Sequence, residues 1–253
     1  MDPWLIAAPS VAAAAAGVSA YSAIHPRSEL FGSHVHATAA AKKLAITFDD
    51  GPNPSITPKL LDLFDKYNAR ATFFVIGKFV REVPGLLQEV IARGHSIGNH
   101  TETHPNLFLR SGSAVREELE RCNDAIRAAV GSMPRWFRPP FGLRNPWVLP
   151  AAKRLGMQGV MWTLIPGDWS APSSEWLAER MQPIAQRAAA HSDGKGNFTG
   201  NASGDILCLH DGYHAQQNGD RRHTVAALEY WLPRWRDLGL EFVTIDAAVS
   251  KRD

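Results

Sequence analysis

The sequence predicts a single α/β domain, a distorted (β/α) barrel of about seven mostly parallel strands. Three observations point there. Short apolar runs alternate with amphipathic segments over most of the chain, turn and cap residues fall between them, and polar clusters recur at the carboxyl ends of the apolar runs. Strands separated by helical stretches require right-handed crossovers, and those produce parallel pairing. A chain of 253 residues, 45% hydrophobic and 21% charged, has the length and composition of a folded globular domain.

The first element is the charge-free run at 4–24. Its length matches the roughly 20 residues that cross a bilayer as a helix. It is rich in alanine and interrupted by Pro9 and Gly17, the only early charge is Asp2, and Arg27 follows rather than precedes it. Two readings of 1–25 therefore stand, a membrane anchor or signal segment and a helix packed on the domain. Residues 26–43 are polar and read as a linker, and 44–250 read as the main domain.

Within that domain, 44–48 reads as a buried strand, and Thr57 with Pro58 reads as an N-cap and first helical position of a helix to residue 67. The β-branched and aromatic stretch 71–76 is a strand, 83–93 a helix and 95–98 a third strand. A long helix over 113–130 starts at Ser113 with Glu117 close behind and stops at Gly131. Further strands are expected at 136–138, 159–162, 205–209 and 241–244, with helices at 146–155, 174–190 and 224–238. The Gly/Asn/Ser-rich stretch 192–204 reads as a surface loop.

A net charge of +2 without a Lys/Arg stripe gives no reason to expect a nucleic-acid partner. Cys122 and Cys208 read as small buried residues, and the absence of a Cys-x-x-Cys pair removes zinc ribbons and thioredoxin-type chemistry.

The polar clusters carry the chemistry. Thr47-Phe48-Asp49-Asp50-Gly51-Pro52 ends the first strand with two adjacent carboxylates, which repel unless a cation is near. Both could serve one site only if the chain bends, at Gly51-Pro52, because strand side chains alternate. A helix cap or Asx turn accounts for the same residues. His100-Thr-Glu-Thr-His104 places two histidines at i and i+4, a metal-clamp spacing if the segment is helical, with Glu102 pointing away. A plain surface pair is the alternative. Asp50, His100 and His104 together would supply one oxygen and two nitrogen donors with positions left open, the pattern of a catalytic zinc site. Arg138-Pro-Pro-Phe-Gly142, Gly167-Asp168-Trp169 and Leu207-Cys-Leu-His210-Asp211 complete the set, each with an ordinary core or turn reading of its own. Their common order at five successive strand ends is what sets them apart.

These five motifs resemble those of the polysaccharide deacetylases, carbohydrate esterase family 4, over 44–245. The flanking pieces Ala71-Thr-Phe-Phe74 and Gly94-His-Ser-Ile-Gly-Asn-His100 match as well. The resemblance implies a metal-dependent hydrolase that removes N-acetyl groups from a glycan such as peptidoglycan or a chitin-type chain, in the cell envelope or secreted. It implies Asp49 as general base, Asp50, His100 and His104 as metal ligands, and His210 as general acid. Arg138 would orient Asp49, Asp168 would hold His210, and the backbone N–H of Phe141 would stabilise an oxyanion. Trp169, Leu209 and Pro140 would line the acetyl pocket. Zinc is the expected ion, with cobalt or another divalent ion as alternatives. The motifs depart from the family pattern at Ile165, where another Asp is frequent, and at Phe141, where tyrosine is common. An O-deacetylase, a small-amide hydrolase and a glycan-binding pseudoenzyme are the competing functions.

Overall fold

The computed structural model describes residues 17–193, 198, 200 and 202–250. Residues 4–16 of the apolar run, and Asn197 and Asn201 of the surface loop, lie outside the described residues. Eight strands form one sheet: β1 (His34–Val35), β2 (Lys43–Gly51), β3 (Ala71–Val75), β4 (Ser96–Asn99), β5 (Trp136–Phe137), β6 (Gln158–Val160), β7 (Ile206–His210) and β8 (Glu241–Phe242). Their order is β1-β6-β5-β4-β3-β2-β7, with β8 beside β2, and every strand pair is parallel. The sheet curls into a distorted barrel. Its open side is closed by the chain after β6, where Leu164 bridges to Leu207 of β7 and Cys208 N–H donates to the Leu164 carbonyl.

β1 corrects the reading of 26–43 as a linker. It pairs with β6 in register His34 with Gly159, and His34 and Thr38 are buried. Two residues are too short for a periodic signal, so pairing makes this strand and local pattern does not. The helical stretch at 17–24 also touches the domain. The carbonyls of Ser22 and His25 accept from the buried Arg144 guanidinium, at 3.0 and 2.6 Å. Among the described residues no helix is long and apolar enough to cross a membrane.

The period-2 alternation of β2 sorts its residues between two layers. Leu44, Ile46 and Phe48 face outward into the core beneath the helices, where Leu60, Phe64, Leu228 and Trp235 meet them. Ala45 faces inward, among Phe74, Trp136, Val160 and Ile206, and the short helix Ile245–Val249 packs against this inner cluster. Thr47 and Asp49 share that inward parity, so the strand that builds the outer core also delivers polar groups to the barrel's carboxyl end.

Caps differ in detail from the sequence reading. Thr57 is the first residue of the helix Thr57–Lys66 rather than its cap. Its hydroxyl accepts from Asn53 N–H at 2.9 Å and donates to Asp211 beneath the site, so tertiary partners have claimed it. Ser111 rather than Ser113 caps the helix Gly112–Val130, accepting from Ala114 N–H at 3.3 Å. Gly131 ends that helix in the left-handed conformation, as expected, with φ 76°.

Phe48 is fully buried, stacked on Phe73 at 5.0 Å and edge-on to Phe64 at 5.8 Å. Phe48→Ala is expected to lower the unfolding free energy by about 3–5 kcal/mol. Chemical denaturation would show this as an earlier midpoint at unchanged slope. An unshifted midpoint would mean that the core repacks around the gap.

Candidate active site

The strand ends of β2, β4, β5 and β7 surround a cavity of about 580 Å³, within the usual range for small-ligand pockets. Asp49, Asp50, His100, His104, Phe141, Trp169 and His210 line it.

β2 brings both carboxylates to the cavity by a device that the sequence reading placed one residue too late. The register with β3 slips between Asp49 and Gly51, and Asp50 sits at φ 72°. This bulge at Asp50 itself cancels the alternation that would send one carboxylate outward. A positive φ at a non-glycine residue costs of order 1–3 kcal/mol, and such strain concentrates at functional sites. Gly51 and Gly212 permit the crowding, because a Cβ on Gly51 would overlap the Asp211 carboxylate and one on Gly212 would overlap the Asp50 carbonyl.

Asp49 is tied to Arg138. Arg138 Nη1 donates to Asp49 Oδ1 at 2.8 Å and to Thr47 Oγ1 at 2.8 Å, while Nε and Nη2 donate to the carbonyls of Val160 and Met161. The guanidinium is fully buried and lies over the Phe74 ring at 4.2 Å. Cys208 Sγ donates to Asp49 Oδ2 at 3.4 Å. Burial, with the Asp49 charge adding, pushes the Cys208 thiol well up, so it stays protonated in this contact. Both cysteines are free and buried.

His100 and His104 do converge, but the segment that carries them is not helical. Residues 100–106 form an irregular loop with Thr101 at φ 71° and His104 at φ 59°. The loop achieves what an i, i+4 helix would have done. His100 Nδ1–H donates to the Arg138 carbonyl at 2.8 Å, which fixes the tautomer and leaves Nε2 bare. That Nε2 stands 3.5 Å from Asp50 Oδ1, and His104 Nε2 stands 3.2 Å from the same oxygen. Glu102 turns away, as expected, to Arg81 at 3.2 Å.

This donor set fits a divalent metal. Asp50 Oδ1 is buried with no hydrogen-bond partner, although two ring nitrogens surround it. Two donors bound at about 2.0–2.1 Å in tetrahedral geometry stand roughly 3.3 Å apart, close to the separations found here. Burial, then His100, pull the His104 imidazole down to about 3, so it presents a neutral nitrogen. Burial opposes ionisation of Asp50, but the histidines gathered around it, His100, His214, His104 and His210, outweigh it and hold the carboxyl well below the usual range.

His210 faces this cluster from β7, in register with Asp49. Asp168 grips it twice, accepting from Nδ1–H at 2.8 Å and from the backbone N–H at 2.7 Å, and Thr224 Oγ1 donates to the same carboxylate. The remaining ring nitrogen, Nε2, is left for the pocket. Burial alone would lower the basicity of His210. The charge and hydrogen bond of Asp168, with help from Asp50 and Asp49, reverse that and raise it to about 9.

Two expected lining residues are corrected. Leu209 is fully buried in the outer core, because His210 faces the pocket and its strand neighbour must face away. Pro140 is buried and does not line the cavity. The apolar wall is built instead by Trp162, Ile165 and Trp169 with the exposed ring of Phe141. Trp162 is the residue that motif reading missed, since it read as the end of a strand. Phe141 itself sits at φ 57°, at the turn that follows β5.

The comparisons agree with this geometry. A family model described as Polysaccharide deacetylase matches residues 36–160. A peptidoglycan-N-acetylglucosamine deacetylase of Bacillus cereus is 39% identical over 211 residues, 81% of this chain and 86% of that one. A chitooligosaccharide deacetylase of Azorhizobium caulinodans is 33% identical over 211 residues, 81% of this chain and 93% of that one. The chain belongs to the polysaccharide deacetylase family. A CE4 family pseudoenzyme from Bacillus anthracis, at 24% identity and a TM-score of 0.70 over 84% of this chain and 66% of that one, shares the fold. In this polysaccharide deacetylase Asp49, Asp50, His100, His104 and His210 line one cavity, with Asp168 bonded to His210.

Removing the Asp168 charge should undo the His210 shift. In Asp168→Asn the imidazole is expected to titrate well below the wild-type value of about 9, because burial then acts against a weaker opponent. Histidine NMR titration reads this directly. An unchanged titration would show that Asp168 does not set the charge of His210.

Proposed function

We propose that the chain hydrolyses the N-acetyl amide of an N-acetylated glycan, chitin-type or peptidoglycan, with zinc as its metal. The observation that supports this reading is the placement of Asp49 and His210 as register partners on β2 and β7, in one cavity with the Asp50, His100 and His104 donors. Base and acid thereby share one cavity and can reach one substrate group.

Asp50, His100 and His104 would hold the metal. When bound, such an ion polarises an amide carbonyl and acidifies water. The remaining work falls to the protein. Asp49, kept in place by Arg138, accepts a proton from the attacking water. The backbone N–H of Phe141, a residue that lines the cavity, would serve the developing oxyanion, and a preorganised donor of this kind is typically a large electrostatic contribution. His210, protonated below about 9 through Asp168, gives its proton from Nε2 to the departing amine. Trp162, Ile165 and Trp169 offer an apolar slot for the acetyl methyl. A glycan-binding pseudoenzyme is the less favoured reading, since base, acid and metal donors are all in place.

The test is acetate release from chitooligosaccharides and from peptidoglycan by the chelator-stripped chain, with and without added zinc. Zinc is expected to restore release. Asp49→Asn and His210→Ala are each expected to lower kcat by about 10²- to 10⁴-fold. Release that survives both chelation and the two substitutions would overturn the mechanism. The better of the two polymers identifies the substrate class.

A further inference from the structure

A third imidazole stands at the Asp50 carboxylate, and none of the five motifs contains it as a ligand. His214 lies on the loop that follows β7 and lines the same cavity. Its Nδ1 is 3.7 Å from Asp50 Oδ2, longer than an ordinary hydrogen bond. His104 and His100 stand 3.2 and 3.5 Å from the other oxygen, Oδ1, so three rings surround a single carboxylate. One donor atom each from Asp50, His104 and His214 lie within 4.8 Å of one another.

The ring is held there from several directions. It stacks on His104 with centroids 4.5 Å apart and planes 17° from parallel. Phe141 meets both rings edge-on, at 4.6 Å for His104 and 5.6 Å for His214. Lys78 Nζ donates to the His214 carbonyl at 2.7 Å. Tyr213 and Gln216 pair across the loop, with Gln216 N–H donating to the Tyr213 carbonyl at 3.0 Å. The backbone on both sides of His214 is thus anchored, and the imidazole is delivered to the donor cluster at 35% exposure.

Resting on the metal-dependent reading above, we infer that His214 is a further protein ligand of the metal held by Asp50, His100 and His104. The geometry favours direct ligation over a contact made only to Asp50. The Nδ1 to Oδ2 gap is too long for a good hydrogen bond, yet near the roughly 3.3 Å that separates two donors on one tetrahedral ion. Zinc can expand from four to five ligands, so a fourth protein donor leaves room for one oxygen of water or substrate. Three imidazoles and one carboxylate form a nitrogen-rich set, which favours zinc, copper or nickel over magnesium or calcium. The polysaccharide deacetylase chemistry stays the same, and the loop after β7 adds its own hold on the ion.

The full chain and His214→Ala would each be stripped and reloaded with zinc. X-ray absorption would then count imidazoles on the ion, and competition with a chelating dye would measure affinity. The expected result is three imidazoles in wild type and two in His214→Ala, with zinc bound at least ten-fold more weakly in the variant. Loss of an outer partner alone already costs about 10–100-fold in affinity, so the imidazole count is the deciding measurement. Two imidazoles in both proteins would overturn the assignment and leave the three-donor site standing, whatever the affinity does. Wild-type protein that holds no zinc would overturn the assignment and the metal-dependent reading together.

Discussion

The site depends on one buried charge, the Arg138 guanidinium inside the barrel. It is fully buried and spends its donors on Asp49, Thr47 and the carbonyls after β6, so a single side chain from the end of β5 ties β2 and β6 together. Removing one partner of such a pair typically costs about 3–5 kcal/mol, because the other charge stays buried and alone. The same residue orients a second group through its backbone, since its carbonyl accepts His100 Nδ1–H. The position of Asp49 and the tautomer of His100 therefore both follow from where Arg138 sits.

Around that anchor the backbone departs from regular geometry where function needs it. Asp50, Thr101, His104 and Phe141 all have positive φ, and all lie at the ends of β2, β4 and β5. None is a glycine, so the fold carries local strain to aim carboxylate and imidazole at one point. Gly51 and Gly212 do the complementary work by letting the ends of β2 and β7 approach closely. The pocket then separates two histidines by environment. Burial and a neighbouring imidazole pull His104 down to about 3, whereas Asp168 overcomes burial and lifts His210 to about 9. Opposed shifts of this kind show how environment separates chemically identical side chains, one kept neutral and one kept charged.

The long, strongly periodic elements were legible in the sequence. The helices Gly112–Val130 and Ser174–Ala190 and the strands β2, β3 and β7 lie within a few residues of where period and punctuation put them. The five polar motifs were legible too, because a polar residue at the end of a buried strand is conspicuous against its apolar neighbours. β1 was not, since two residues carry no period and exist as a strand only through β6. Leu209 was misplaced for a related reason: which face of β7 looks inward is decided by its pairing with β2.

The sequence by itself determined the barrel class and the order of the motifs, because these follow from hydrophobic period and from polar residues at the ends of buried strands; the roles proposed for Asp49, His210 and the Asp50, His100 and His104 donors rest on the family resemblance that those motifs carry. Only the tertiary structure decided how they meet. Local pattern puts Asp49 and Asp50 on opposite faces and His100 and His104 on a helix. The bulge at Asp50 and the irregular turn after β4 bring them together instead. Trp162, which the sequence reads as a strand end, and His214, on the loop after β7, both join the cavity lining. Such contacts lie far apart in the chain, and no local preference encodes them; they exist because the curled sheet gathers its carboxyl ends at one mouth.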